Sequence, residues 1–474
     1  MITLVARAAQ QLKLALSIHE LLPPRASDIG MRRQVRNNRW RRLLHHAVDR
    51  SPFYQKKFDG IDIDNCTISD LPILTKAEMM ENLDAIFTDR NLHRSEIETF
   101  ISNPTNLGVF YRGQYVVCHT SGSQGQPALI VQDADAILTT FAAQFARGVE
   151  VERRFLPHIQ KLIRPARMAI ITQKPGFYAS SIFFSFLPVA AKRFLKLERL
   201  SVFDNPEHLV ERLNTFQPTF VTAYASTLEL LAREKLAGRL HLSECLQQMT
   251  NISEPLTEMS ARQIEAAFGV HVTNVYSVAE CMGLTCGCTA THGSHLNDEL
   301  AMLEVVDATN RPVPDGTPGS KVLLTNLYNL VQPIIRYEID DIVSLSPMGC
   351  SCGKRLPLIQ SVEGRMKDQL WMVAGAQIHN PFYLFQAAMQ HESNLAEHQI
   401  LQTGFNTFVL RAAPQYGRTI SSTQLRSYVQ QTFAAEGLGE VINLDIEIVD
   451  RIVPEESGKI RRARNLFTAP PTQK

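Results

Sequence analysis

The sequence predicts an α/β protein: a large N-terminal domain built on βαβ units, followed by a small C-terminal α+β domain. Three observations carry that expectation. Between residues 168 and 277, short apolar runs alternate with amphipathic segments of helix length, the pattern of strands and crossovers in a parallel sheet. After Leu300 the style changes to strands joined by Gly- and Pro-rich turns. Beyond Gly364 about 110 residues remain, enough for a small domain with its own core. The composition, 45% hydrophobic and 20% charged over 474 residues, is that of a globular protein. A formal net charge of +1 supplies no field for nucleic acid or an anionic membrane, so neither is an expected partner.

The elements follow in chain order. Residues 1–22 read as an amphipathic helix without a small-residue cleavage site, so no signal peptide is expected. The most apolar later run, 178–191, is too short to span a bilayer and contains Pro188, so stable membrane insertion is not expected and the expected compartment is cytoplasmic. Residues 31–50 carry arginines at 32, 33, 36, 39, 41, 42 and 50. Their spacing predicts a helix that packs through Val35, Leu43, Leu44 and Val48 and keeps a solvated basic face. Ser51-Pro52 breaks it, and Phe53-Tyr54 supplies an aromatic anchor.

Two β-prone runs, 115–119 and 128–131, flank Thr120-Ser121-Gly122-Ser123-Gln124-Gly125-Gln126-Pro127. Alternating hydroxyls and glycines suit a loop that turns N–H groups and hydroxyls onto one anion, a polyphosphate above all. A plain hairpin turn has the same composition. The Walker spacing is absent. Strands are then expected at 168–172, 200–203, 219–223, 248–252 and 271–277, with helices at 206–216, 228–236 and 256–268, the last closed by Gly269. Residues 303–306 and 321–325 read as a hairpin around the turn at 314–319. In the final unit, 407–411 and 442–449 read as strands, 421–435 as a helix and 469–474 as a loose tail.

Five of the eight cysteines crowd into two stretches, at 281, 286 and 288 and at 350 and 352, a pattern closer to metal ligation than to a disulfide framework. Cys288-x6-His295 with Cys350-Ser351-Cys352-Gly353 offers three thiolates and one imidazole, a closed tetrahedral set for structural Zn²⁺. Cys286 and His292 lie close enough to compete for a place in it, and buried free thiols are the other reading.

Four more stretches remain: Asn274-Val275-Tyr276-Ser277-Val278-Ala279-Glu280, Ile335-Arg336-Tyr337-Glu338-Ile339-Asp340-Asp341, Gly364-Arg365-Met366-Lys367-Asp368 and Ser457-Gly458-Lys459-Ile460-Arg461-Arg462. Singly, Tyr276 reads as a core aromatic, Glu280 as a strand-end carboxylate, Asp341 as a turn residue and Lys459 as a solvated cation. In this order, after the Ser/Gly loop, they resemble the adenylate-forming (acyl-CoA synthetase-like, AMP-binding) superfamily, in particular its phenylacetate–CoA ligase and coenzyme F390 synthetase branch. The likeness runs from about Trp40 to about Arg464, and segments 46–58 and 71–77 are similar to that branch's N-terminal motifs.

The resemblance implies an N-terminal domain over 1–365 that binds ATP and acid and includes a small β-barrel-like part. It also implies a mobile C-terminal domain over 366–474 that carries the catalytic lysine. The implied reaction is attack of a carboxylate, aryl by branch, on the α-phosphorus of ATP to give acyl-AMP and pyrophosphate. Acyl transfer to the thiol of CoA or of a carrier protein's phosphopantetheine follows. By resemblance Thr120, Ser121, Gly122, Ser123 and Gly125 cradle the β- and γ-phosphates, and Glu280 holds Mg²⁺. Tyr276 stacks on adenine, with Ser253, Glu254 and Pro255 lining its other side. Asp341 accepts from the ribose diol and Arg365 contacts the same nucleotide. Lys459 reaches the carboxylate and α-phosphate, Lys367 is the hinge, and Tyr224-Ala225 border the acid pocket. The branch also resembles this chain in its Cys/His and C-x-C-G elements, the zinc set. Two positions depart from the family pattern: Gln126 stands where the phosphate loop usually has lysine, and Asp340 where the ribose motif usually has glycine. Three alternatives stay open: AMP transfer to a deazaflavin, an amine as acceptor, and a non-catalytic nucleotide- or acyl-binding role.

Overall fold

The structure, a computed structural model, describes residues 13, 16–21, 28–120, 127–148, 165–173, 176–188, 195–374, 377–438 and 441–467. The chain divides into two compact units, Met1–Glu363 and Gly364–Lys474. The Ser121–Gln126 part of the Ser/Gly loop, most of 1–22 and the 469–474 tail lie outside the described residues.

The first unit holds a five-stranded parallel sheet in the order Leu195–Ser201, Ala166–Thr172, Phe220–Ala223, Gln248–Ile252, Val272–Val275. Helices Pro206–Phe216, Ala225–Leu236 and Glu258–Phe268 make the crossovers, and the first and third have local reasons for their bounds. Pro206 opens the first with φ pre-set for a helix, and Gln217 closes it in a left-handed conformation. Thr257 caps the third through Ser260 N–H, and Gly269 ends it at φ 69°, where a Cβ would be strained. Ile171, Val221, Leu228, Met249, Ile264 and Val272 form the core between sheet and helices.

Two boundaries differ from the sequence expectation. The strand placed at 200–203 runs over Leu195–Ser201 instead, because Asp204 accepts Ser201 N–H at 2.9 Å and turns the chain there. The helix placed at 228–236 begins at Ala225, because Glu254, 28 residues downstream, accepts Ser226 N–H at 2.9 Å. A cap supplied from outside the segment leaves no local signal.

The segment after Leu300 is β-rich as expected. Ala301–Val306 pairs antiparallel with Lys321–Asn326, which carries Tyr337–Ile339 on its other edge. Asp341–Leu345, the strand starting at Leu358, Ser294–Leu296 and Thr285–Gly287 make a four-stranded sheet in that order. Upstream, Tyr115–His119 and Leu129–Asp133 pair antiparallel with His119 opposite Leu129, so the Ser/Gly loop connects the two arms of a hairpin. Leu43, Leu44, Tyr54, Phe87, Val116 and Phe141 pack around that hairpin in a second core.

The arginine-rich helix spans Ile29–Arg50 and is capped by Asp28, which accepts Met31 N–H at 3.0 Å. Its basic residues are not all solvated, which corrects the sequence expectation. Arg32 is buried, donates to Asp298 at 3.0 Å and reaches the Arg355 carbonyl at 2.6 Å. Arg39 donates to the Glu299 carbonyl at 2.9 Å. The partners lie some 260 residues away, so the helix pattern alone gave no sign of them. Arg33, Arg41, Arg42 and Arg50 are exposed as expected.

Beside that helix, a π-helical turn at Gln144–Gly148 aims Arg147 inward. Its guanidinium forks onto Glu299 and donates to Asn297 Oδ1 at 2.6 Å, with both charged side chains only 4% exposed. Burial pushes the Glu299 carboxyl up, but Arg147 outweighs it and holds the group below its usual range. Glu299→Ala is expected to destabilise the unit by about 3–5 kcal/mol, because it leaves a buried guanidinium unpaired. Since the folded-state carboxyl titrates below its unfolded value, the pair's contribution is present at neutral pH and fades as pH falls through the folded value. Urea melts of wild type and variant at pH 7 and pH 4 check both statements: the difference between the two proteins shrinks at the lower pH.

The second unit is a four-stranded sheet in the order Asn443–Ile448, Thr407–Pro414, Leu395–Gly404, Ala463–Asn465, with a hairpin at the centre and parallel strands outside. Phe382–Met389 and Ser422–Ala435 cover it, and Phe385, Phe408 and Phe433 meet edge-on in the core. Ser421 caps the longer helix by accepting Gln424 N–H. No helix among the described residues is long and apolar enough to cross a membrane.

Candidate active site and metal centre

Strand Val272–Val275 ends two residues before a tight turn in which Cys281 N–H donates to Val278 O at 3.0 Å. The turn sets Glu280 at its corner, and Asn326 fixes it by donating to the Glu280 carbonyl at 2.8 Å. Glu280 is buried, and its charge adds to burial in pushing up the thiol of Cys118, on the strand that leads into Thr120. Glu280 and the approach to the Ser/Gly loop therefore share one electrostatic environment. Thr120 itself pins the loop's base: its N–H donates to Ala128 O at 2.9 Å, and its hydroxyl accepts Ala128 N–H at 2.8 Å.

Tyr276 is buried against Cys281, Leu284 and Leu296, as a core aromatic would be. Its hydroxyl nevertheless donates to Asp341 Oδ2 at 2.9 Å, across 65 residues of sequence. Asp341 opens the strand Asp341–Leu345, and Asp340 lies in the one-residue gap after Tyr337–Ile339. The structure thus brings an aromatic ring and a carboxylate together from two motifs that the sequence keeps apart.

Ser253 has φ 66°, in the left-handed region that a serine rarely adopts, and Glu254 N–H closes the turn on Ile252 O at 2.8 Å. Asn251 Nδ2 holds the turn by donating to Glu254 O at 2.8 Å, and it also donates to Asn274 Oδ1 at 2.8 Å. The Glu254 carboxylate is committed to the N-terminus of helix Ala225–Leu236 through Ser226 N–H. That tethers the turn to the segment holding Tyr224 and Ala225. Both are buried, and Tyr224 hydrogen-bonds to Gln173. Asn251 and Asn326 organise the site, yet neither stands in a motif that sequence reasoning singles out.

The second unit carries Arg365, Lys367 and Lys459. The Lys459 turn is closed by Gly458 N–H on Glu455 O at 2.8 Å and by Glu455 N–H on Lys459 O at 3.0 Å. Gly458 sits at φ 75°, where any Cβ is strained. Arg461 pairs with Glu455 at 2.7 Å and with Asp368 at 3.0 Å, so the segment after Arg365 and the lysine turn are tied together.

The Cys/His set is built from two hairpin ends. Cys288 Sγ lies 3.4 Å from Cys350 Sγ, and His295 Nε2 lies 3.1 Å from Cys352 Sγ. All four donor atoms fall within 4.8 Å of one another. His295 Nδ1 faces the Leu356 carbonyl at 3.3 Å, which leaves Nε2 as the nitrogen with a lone pair for the cluster. Burial pushes the Cys288 thiol up, but hydrogen bonds from His295, Ala290, Thr291 and Cys350 outweigh it and bring it to about 5. Burial and the neighbouring sulfurs push Cys352 to about 12. One thiolate forms readily and the next is opposed by it, so full deprotonation of the set would take a cation among the sulfurs. The donor set suits a tetrahedral d¹⁰ ion. Cys286 and His292 are not in the cluster: Cys286 is buried in strand Thr285–Gly287, and His292 turns away to Glu258 and Glu265 at 2.8 and 2.9 Å.

Comparison with known proteins finds the following likenesses. The AMP-binding enzyme model matches residues 112–324. Phenylacetate-coenzyme A ligase of Thermus thermophilus is 24% identical over 364 residues, 73% of each chain. Protein CapK of Staphylococcus aureus is 22% identical over 443 residues, 91% of this chain and 89% of that one. A crystal structure of 2-hydroxyisobutyryl-CoA ligase in the postadenylation state superposes with a TM-score of 0.68 at 20% identity, covering 92% of this chain and 90% of that one. This chain therefore carries an AMP-binding family domain, is homologous to a phenylacetate-coenzyme A ligase and has the fold of acyl-CoA ligases.

Proposed function

We propose that the chain is an AMP-forming acid–thiol ligase that activates a carboxylic acid, aryl by its homology, and transfers the acyl group to coenzyme A. In the first half-reaction a carboxylate oxygen attacks the α-phosphorus of ATP and pyrophosphate leaves. In the second, a thiolate attacks the acyl carbon and AMP leaves. The observation that carries this reading is the Tyr276–Asp341 hydrogen bond. It pairs a flat π-face, fit to stack on a base, with a two-oxygen acceptor, fit to take both hydroxyls of a ribose.

The remaining roles belong to the same proposal. Thr120, Ser121, Gly122, Ser123 and Gly125 receive the departing phosphates, and Gln126 donates hydrogen bonds there without a charge. Glu280, a buried carboxylate beside the strand that enters this loop, holds Mg²⁺ through hard oxygen. Ser253, Glu254 and Pro255 line the base, and the strained Ser253 turn presents backbone to it. Arg365 contacts the nucleotide and Tyr224-Ala225 border the acid. The C-terminal unit moves about Lys367 between half-reactions and delivers Lys459 for the first. Cys288, His295, Cys350 and Cys352 hold a structural Zn²⁺ that staples the two hairpin ends.

Pyrophosphate release with ATP and Mg²⁺ across aryl, fatty and amino acids tests the proposal, with CoA, a carrier protein's phosphopantetheine and simple amines as acceptors. Acid-dependent release for an aryl acid, followed by consumption of CoA, is the expected result. Silence from every acid while ATP still binds would overturn it in favour of a binding role.

A further inference from the structure

We propose a second metal site in the first unit, formed by Glu265, His271 and His292, that takes a divalent first-row transition ion and leaves coordination positions open. The three come from different elements: Glu265 from the end of helix Glu258–Phe268, His271 from the link after its Gly269 cap, and His292 from the loop between Cys288 and His295. His271 Nδ1 and His292 Nε2 both converge on Glu265 Oε1, at 2.7 and 2.9 Å, and all three donor atoms lie within 4.8 Å of one another. The rings lie nearly parallel, 20° apart, with centroids 5.1 Å apart.

The outward nitrogens make the case. His271 Nε2 faces the Cys288 carbonyl at 3.1 Å, and His292 Nδ1 faces a Glu258 carboxylate oxygen at 2.8 Å. A carbonyl and a carboxylate only accept, so each outward nitrogen carries the ring's proton. In a neutral imidazole the inward nitrogen then has a lone pair, and both lone pairs point at a carboxylate oxygen that has only lone pairs to offer. Two acceptors aimed at a third repel unless a second proton sits on a ring, which the carboxylates on both sides of His292 also suit, or a metal ion stands among them. A metal ion resolves the arrangement with both rings neutral. It also explains the outward contacts, since ligating histidines give their second nitrogen to a carbonyl or carboxylate.

The chemistry of the site sets its ion. Two imidazoles and one carboxylate suit Zn²⁺, Ni²⁺, Co²⁺ or Cu²⁺ rather than Mg²⁺. Donors bound about 2.1 Å from one ion stand roughly 3.0–3.4 Å apart, so on entry the two imidazole–carboxylate separations open by a few tenths of an ångström and the rings turn to face the ion. The side chains of His271, Glu265 and His292 are 31%, 28% and 17% exposed, so an ion reaches them from solvent. The site differs from the Cys/His set on this point: it is open and exchangeable, and contains no thiolate. Its ion ties helix Glu258–Phe268 to the loop that carries Cys288 and His295. Asn274, in the hydrogen-bond chain to the Ser253–Glu254 turn, donates to the His292 carbonyl at 3.2 Å, so the same loop touches the proposed nucleotide site.

Cobalt titration of the metal-depleted full chain tests this without reference to activity. Two equivalents are expected. One shows intense thiolate-to-cobalt absorption from the Cys/His set; the other shows weak d–d bands alone. His271→Gln and Glu265→Gln should remove the second equivalent, raising its dissociation constant at least tenfold, while the thiolate absorption of the first persists and certifies the fold. Glu258→Gln, which leaves the three donors in place, should weaken the second equivalent about tenfold. Absence of a second equivalent in wild type would overturn the proposal. So would a second equivalent that both donor variants leave unchanged, which would be cobalt bound elsewhere.

Discussion

Lys459→Ala is expected to lower acid-dependent pyrophosphate release by about 10²–10³-fold, the usual loss when one preorganised donor to a developing anion is removed. The reason is charge. In-line attack of a carboxylate on the α-phosphorus brings two anions together and spreads further negative charge over the phosphoryl oxygens. A flexible ammonium is the group in the C-terminal unit best suited to meet both. Its turn is defined rather than loose: two backbone hydrogen bonds close it, Gly458 supplies the left-handed conformation, and Arg461 braces it to Glu455 and Asp368. The acid's KM should change less than kcat, because the interaction strengthens as charge develops. Thioester formation from chemically prepared acyl-AMP should be preserved within a few-fold, since that half-reaction releases AMP without attack at phosphorus. Equal loss of both half-reactions would remove Lys459 from the role of adenylation donor and make it a general structural residue. A rate unchanged in both would end the assignment.

The second large effect is expected at the Cys/His set. The purified protein should retain one tightly held equivalent of zinc after dialysis, and Cys350→Ser or Cys352→Ser should abolish it. For a site saturated about 1,000-fold above its dissociation constant, the stability lost on stripping the ion is about 4 kcal/mol. A strong chelator should therefore lower the melting temperature of wild type by several degrees and leave the serine variants unmoved. The linkage has a pH sign of its own. Ligand thiols must be deprotonated to bind, so zinc affinity falls as pH falls, and the drop in melting temperature on chelation should shrink in mildly acid buffer. Metal analysis that finds no zinc, with the melting temperature indifferent to chelation, would return the four residues to the status of buried thiols and a packed histidine.

Much of the fold was legible in the chain because its signals are local. Helix Pro206–Phe216 follows its expected bounds, since Pro206 and the run ending at Phe216 lie within it. The hairpin of Ala301–Val306 and Lys321–Asn326 is announced by its own turn residues. The end of helix Glu258–Phe268 is fixed by Gly269. Where the expectation slipped, the deciding group lay elsewhere: Glu254 extends the helix at Ala225 by a turn, and Asp298 and Glu299 draw Arg32 and Arg39 out of a face that periodicity alone marks as solvated.

The site divides along the same line. Residue type and order, read by themselves, gave the resemblance to the AMP-binding family and the Cys288–His295 and Cys350–Cys352 donor pairs, and the resemblance in turn implied the candidate roles of Tyr276, Glu280, Asp341 and Lys459. Those signals survive in sequence because each is a short run whose chemistry depends on which atoms it carries. Only the tertiary structure decided that Tyr276 donates to Asp341, that Asn326 fixes the Glu280 turn, that Ser253 is strained, and that His292 leaves the cysteines for Glu265 and His271. Apart from the Ser253 turn, these are contacts across 20 to 65 residues, made by strand order and hairpin register, and a side chain's partner across such a distance is set by the packing of the sheet rather than by its neighbours in the chain.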